Sequence, residues 1–307
     1  MILLWGTERD RPLALVRDAL AEQGAPVFFL DQARAGETEF ALEVGAEVRG
    51  RVLIAGDSCE LEEVSAVYVR SDTADSLMPG QDEEALRHAQ ALDEMVTTWL
   101  GVTDARVINP FAAMASNGSK PYQSMLIARA GFAVPETLVS TDIEAVRAFW
   151  DRHGEIIYKS TSAIRSIVSR LSKDHAERLE HIKWCPTQFQ QYVEGRDVRV
   201  HVIGDEIFAT EIHSDADDYR YGERDGLTTE LRALALPDDC ADRCRRLAHA
   251  LRLPVAGIDL RRTPQGEWYC FEVNPSPAFS YYEAATHQPI AEAIAGLLMA
   301  SERSLAR

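Results

Sequence analysis

The stretch CFEVNPSPAFSYYE, residues 270–283, follows a short apolar run with Glu-x-Asn-Pro-Ser-Pro and then a cluster of aromatics. Glu272 and Asn274 are two apart, so an extended chain points both side chains to one face. Pro275 and Pro277 forbid a helix or a central strand directly afterwards. The pattern predicts one carboxylate and one amide oxygen, side by side at the mouth of a strand, a half-shell suited to a hard cation. A plain strand end with a polar turn accounts for the same letters. This stretch alone does not choose between them.

The chain around it has 307 residues, 46% hydrophobic, 26% charged and 8% aromatic, enough for two or three subdomains with buried cores. A formal net charge of -17 argues against a general nucleic-acid or anionic-membrane surface, which needs basic patches. A nucleotide site is still allowed, because a few local Lys and Arg residues suffice there. No apolar run reaches transmembrane length. The opening MILLWGTERD lacks the basic start and small-residue cleavage site of a signal peptide and reads as a first strand. Five cysteines, an odd number, suggest a reducing compartment, so a cytoplasmic enzyme is expected. Cys240 and Cys244 share a helix face at i,i+4 without a His or Cys cluster to complete a zinc site. They read as small core side chains. Asn117-Gly118-Ser119 has the form of a glycosylation acceptor but, without a secretory signal, reads as a turn.

Strand and helix signals alternate from the start: strand 2–5, amphipathic helix 11–23 ended by Gly24, strand 27–30. Apolar runs at 40–44, 52–54 and 64–70 are expected to extend the same sheet. A helix over 83–100 closes at Gly101, and residues 107–110 read as a strand meeting a breaker. From Ser116 the character changes, with a turn, a helix over 120–130 stopped by Gly131, a strand at 134–139, a helix at 142–152 and a strand at 156–159 ending in lysine. Strands at 198–203 and 206–212, a helix at 238–251 and an amphipathic helix at 289–300 complete an α/β pattern. It carries neither internal repeat nor low-complexity segment.

Four features then line up in order: Lys120 at a helix start; Lys159 at a strand end; Phe189-Gln190-Gln191-Tyr192-Val193 running into Glu194-Gly195-Arg196-Asp197-Val198-Arg199; and Asp259 in GIDL, thirteen residues before Glu272. Each alone is weak. Together, from about Ser116 onward, they resemble the ATP-grasp superfamily, most closely its RimK-like ligases, with GIDL and FEVNPSP as the metal-binding signature. Residues 61–70, residues 185–192 and the Asp197-Val198-Arg199 triplet look like the graspetide (microviridin-type) peptide macrocyclases.

The resemblance implies an N-terminal pre-ATP-grasp α/β domain over 1–115 and a two-lobed ATP-grasp fold, α+β within its subdomains. The lobes would divide at 116–193 and 194–307, with ATP between them. It implies that Asp259, Glu272 and Asn274 hold Mg²⁺, two ions in the family pattern, against the ATP phosphates. Lys120 and Lys159 would contact the phosphates and the adenine-side pocket. The Gln190–Val193 run would supply the hinge that reads the adenine edge through its backbone, mainly at Gln191, Tyr192 and Val193. Asp197 would meet the ribose hydroxyls, and Arg199 would stand near the γ-phosphate and an acyl-phosphate intermediate. The family usually covers the phosphates with a Gly-rich loop. Residues 160–168, STSAIRSIV, contain no glycine, which leaves Ser and Thr hydroxyls, backbone amides and Arg165 for that task.

The implied reaction is ATP-dependent joining of a carboxylate to an amine or hydroxyl, with a peptide or an amino acid as substrate and no nucleic-acid or membrane partner. A homodimer is left open. Free amino-acid ligation and an inactive nucleotide-binding, peptide-recognition module are the alternatives. Other motifs fall short: Asp215-Ala216-Asp217-Asp218 begins like an EF-hand, but Tyr219 and Arg220 break the pattern. Gly56-Asp57-Ser58 hints at a hydrolase nucleophile without an Asp–His partner motif.

Overall fold

The structure is a computed structural model and describes residues 1–77, 83–115, 119–160, 169–172, 177–214 and 229–305. It is a mixed helix-and-sheet protein whose contacts group it into two compact units. The first joins Met1–Ala113, Arg252–Val255 and Ser276–Arg307; the second joins Met114–Leu251 and Ala256–Pro275. No helix among the described residues is long and apolar enough to cross a membrane.

In the first unit, β1 (Ile2–Gly6) pairs in parallel with β2 (Val27–Asp31) and with β6 (Ala66–Val69). With β7 (Arg106–Ile108) they form one sheet in the order β2-β1-β6-β7. The helix Arg11–Glu22 returns the chain from β1 to β2, begun by the Asp10 carboxylate accepting from the Leu13 N–H and ended near Gly24 at φ 68°. It packs against the C-terminal helix Ile290–Leu305.

The runs near 40–44 and 52–54 do not extend this sheet, contrary to the sequence expectation. β3 (Thr38–Val44), β4 (Val48–Ile54) and β5 (Asp57–Glu60) form a separate antiparallel meander. The cause is connection length: the short Gly45–Glu47 and Ala55-Gly56 turns close hairpins, whereas parallel strands need a long crossover. Ala55 and Gly56 both have positive φ, 52° and 95°, as a two-residue hairpin turn demands. Gly56-Asp57-Ser58 is therefore a turn and strand start. Val52 and Ile54 of β4 pack onto Leu3, Trp5, Phe28, Leu30, Val67 and Val69.

The second unit holds two further sheets. β8 (Thr137–Ser140), β9 (Ile156–Ser160), β10 (Ser169–Arg170) and β11 (Thr187–Gln191) are ordered β10-β9-β11-β8. Helix Ile143–His153, capped by the Asp142 carboxylate and stopped at Gly154 with φ 70°, buries Val146 and Phe149 against Phe189, Leu138 and Tyr158. Between Gln191 and Arg196 the chain changes sheets. β12 (Arg196–Ile203), β13 (Glu206–Ser214), β14 (Thr229–Leu234), β15 (Val255–Arg262) and β16 (Trp268–Asn274) run in the order β14-β13-β12-β15-β16. Helix Asp238–Ala250 packs on β12 with Cys240 and Cys244 fully buried, the small core side chains the spacing implied.

Candidate nucleotide and metal site

Alternation along β12 turns Val198, Val200 and Val202 to one face and Asp197, Arg199 and His201 to the other. The valines are buried. On the polar face the charges interlock with β15: Arg199 Nη1 donates to Asp259 Oδ1 at 2.6 Å. Two residues away, Arg261 Nε and Nη2 donate to Asp197 Oδ1 and Oδ2 at 2.7 and 2.9 Å. Arg199 is 6% exposed, and so is held rather than free to sweep solvent. The ion-pair partner of Asp197 thus lies on the neighbouring strand β15.

The opening motif follows on β16. Asp259 faces Glu272 across the β15–β16 ladder, and Gly257 faces Asn274. The register shifts after Asp259, leaving Phe271 as the extra residue of a bulge. Such a bulge re-aims the side chains beyond it, and here those are Glu272 and Asn274. The three oxygen-bearing side chains are half-buried, while Ile258 and Val273 between them are fully buried. Among the described residues no three His, Cys, Asp or Glu side chains converge, so the set is two carboxylates and one amide. That donor chemistry fits Mg²⁺, which takes a few carboxylates and completes its shell with water and phosphate oxygens.

A residue the motif reading passed over fixes this strand. Gln123, 2% exposed on helix Lys120–Arg129, donates from Nε2 to the Val273 carbonyl at 2.8 Å. It also accepts at Oε1 from the Val273 N–H at 2.9 Å. Its amide acts as one more strand partner, clamping the backbone between Glu272 and Asn274. In the first unit, Arg70 holds the turn that follows: Nη1 donates to Ser276 Oγ at 3.2 Å and to the Pro277 carbonyl at 3.1 Å, while Nε and Nη2 grip Asp10.

The smaller sheet contributes a second polar surface. With Phe189 and Tyr158 turned to the helix, register places Lys159, Gln188 and Gln190 together on the opposite face. All three are buried. Gln190 Nε2 donates to Thr137 Oγ1 at 3.0 Å, and Thr137 in turn donates to the Pro135 carbonyl. Lys120 opens its helix, half-buried. Arg165 lies outside the described residues, as do the turn at 116–118 and the acidic loop near 215–221.

The connection from β11 to β12 leads into an open cavity of about 870 Å³, lined by Tyr192, Gly195, Asp197, His213 and Arg261 among others. The Val193 carbonyl accepts from Arg261 Nη1 at 2.8 Å. Two titratable groups near the site are held neutral. Burial, then the Arg199 charge, keeps His201 well below the ordinary imidazole range. Burial, then the Asp259 charge, pushes the Cys270 thiol well above its usual value.

This combination of two polar sheet faces joined by a hinge, with an Asp–Glu–Asn set on the far strand, is that of an ATP-grasp protein. Residues 118–298 match the model of the RimK-like ATP-grasp domain, and the chain belongs to that family. It is 26% identical over 198 residues to a probable alpha-L-glutamate ligase 1 of Shewanella denitrificans, an alignment covering 61% of this chain and 66% of the relative. Against the first curated relatives the chain covers 43% to 66% of their length. Solved structures match nearly end to end, among them the two that follow. The macrocyclase MdnC of Microcystis aeruginosa MRC, bound with precursor peptide MdnA, shares the fold at TM-score 0.84 and 24% identity, covering 97% of this chain and 99% of that one. The ATP-grasp ligase PsnB, complexed with a phosphomimetic variant of its minimal precursor, Mg and ADP, matches at TM-score 0.81 and 26% identity over 98% of both chains.

Proposed function

We propose that this protein is an ATP-dependent ligase that joins a carboxylate to an amine or hydroxyl on a peptide. The observation that carries the reading is the pairing of Arg199 with Asp259 beside Glu272 and Asn274. It sets a fixed guanidinium next to an oxygen-only metal set, where an incoming carboxylate and a polyphosphate must be brought together. Similarity to PsnB along the whole chain, including the N-terminal unit, supports a peptide as the substrate. An ATP-consuming enzyme with five free thiols suits a reducing cytoplasm.

In this reading Asp259, Glu272 and Asn274 hold Mg²⁺, whose bound charge would neutralise the phosphate oxygens. Lys159 binds phosphate from the smaller sheet, with Lys120 and Arg165 as further phosphate contacts. The backbone of Gln191, Tyr192 and Val193 reads the adenine edge, Gln190 sits behind it, and Asp197 accepts from the ribose. Arg199 orients the substrate carboxylate, one of whose oxygens bonds to the γ-phosphorus as ADP leaves. The amine or hydroxyl then bonds to the acyl carbon, phosphate departs, and the nucleophile's proton goes to solvent or phosphate. No protein nucleophile is needed, and the chain's contribution is positioning and charge neutralisation.

A second reading, addition of a free amino acid, is favoured by the relatives named alpha-L-glutamate ligases. Incubating the protein with ATP, Mg²⁺ and either a candidate precursor peptide or an acceptor with glutamate separates the two. Peptide crosslinking removes one water from the peptide mass; glutamate addition increases it. Absence of ADP formation with every acceptor would favour a non-catalytic binding module.

A further inference from the structure

Arg261 stands outside every motif discussed above, yet it touches two of the groups expected to meet the nucleotide. Its guanidinium bonds both oxygens of Asp197 at 2.7 and 2.9 Å and the Val193 carbonyl at 2.8 Å. It lies 5.2 Å from the Phe271 ring centroid and 6.0 Å from that of Tyr192. Arg170 packs on Tyr192 at 4.0 Å and donates to its hydroxyl at 2.7 Å. Between Val193 and Asp197, Gly195 at φ 153° is pressed onto β15 so closely that a Cβ would run into the Arg262 carbonyl and the Arg261 side chain. The segment from hinge to acid therefore rests directly on Arg261, with no slack.

We propose that Arg261 is a positioning residue for sugar recognition, fixing Asp197 and the hinge carbonyl at a set separation and so establishing a preference for ribose over deoxyribose. The inference rests on the reading of Asp197 as the ribose acceptor. A forked guanidinium occupies one lone pair on each carboxylate oxygen and leaves the other for a ligand hydroxyl. It also locks the plane of the carboxylate, which a single ammonium cannot do. The competing role is a cross-link from β12 to β15 with no bearing on the ligand, and that role predicts a stability loss alone.

Calorimetric binding of ADP, 2′-deoxy-ADP and 3′-deoxy-ADP with Mg²⁺ decides between them, run on the full chain, Arg261→Lys and Arg261→Met alongside melting temperatures. Wild type is expected to favour ADP over at least one deoxy analogue by about 10- to 150-fold, the span of one charge-assisted hydrogen bond. Arg261→Met should lose most of that ratio through weaker ADP binding, with deoxy-nucleotide affinity nearly unchanged. Arg261→Lys should recover melting temperature more than it recovers the ratio. A wild-type ratio retained in Arg261→Met overturns the inference whatever happens to stability, and so does a wild type that binds ADP and both analogues equally. Failure of wild type to bind any nucleotide overturns the ATP reading itself, and is seen before any variant is made.

Discussion

Arg199 Nη1 lies 2.6 Å from Asp259 Oδ1, so the cation expected at the transferred phosphate and the carboxylate expected on the metal share a hydrogen bond. Neither is isolated: a change at one alters the charge and orientation of the other. Arg199→Lys keeps the charge but loses the fork. Turnover should fall by about 10²- to 10³-fold, as for loss of one preorganised transition-state donor, with ATP affinity changed far less. Single-turnover ADP formation and melting temperature, measured on one sample, check this. A stability loss with normal turnover per folded molecule would remove Arg199 from the catalytic set and leave it as a strand cross-link.

Glu272→Ala and Asn274→Ala should abolish Mg²⁺-dependent ADP formation while leaving the fold in place, because both side chains are half-buried at the strand end. EDTA should have the same effect on wild type. Activity that persists in EDTA, or in the double variant, would contradict the metal assignment. Circular dichroism on each variant shows whether the fold is kept.

Gln123→Leu tests whether β16 needs its side-chain clamp. The substitution leaves the Val273 N–H and C=O without their buried partner, at a cost of about 1–3 kcal/mol for each group left unsatisfied. With two groups left unsatisfied, denaturant unfolding should show a loss of about 2–6 kcal/mol. Since Val273 sits between Glu272 and Asn274, the Mg²⁺ concentration needed for half-maximal nucleotide binding should also rise. An unchanged Mg²⁺ requirement in a destabilised variant would confine Gln123 to a packing role.

Much of this site was legible in the residue order because its signals are local. Glu272, Asn274 and the two prolines dictate a strand end with two oxygens on one face, and β16 ends at Asn274. Helix limits at Gly24 and Gly131 followed from glycine's access to positive φ. Partners set by tertiary register were not legible. Nothing in the letters joins Arg261 to Asp197, 64 residues apart, or Gln123 to Val273, 150 apart. The β3–β4–β5 meander was missed for a related reason. An apolar run announces a strand but not its neighbour, and only the short turns exclude a parallel crossover.

His201, by its burial, makes the folded state lose stability on acidification. It is fully buried on β12, two residues from Arg199 on the same face, and burial followed by the guanidinium charge lowers its pKa well below 6.5. In the unfolded chain the imidazole regains its ordinary value. Below about pH 6.5 the unfolded state therefore binds a proton that the folded state refuses, and unfolding becomes more favourable as pH falls. The stabilising contribution is complete above the unfolded value and is lost on acidification toward the lower folded one. His201→Gln cannot titrate, so its stability should lack this component, though it starts lower because the packing changes. The difference in unfolding free energy between wild type and His201→Gln, followed by urea titration from pH 7.5 to 5, should shrink by up to about 1.4 kcal/mol per pH unit once below 6.5. A difference that stays flat across that range would mean that His201 carries the same charge folded and unfolded, contrary to its burial beside Arg199.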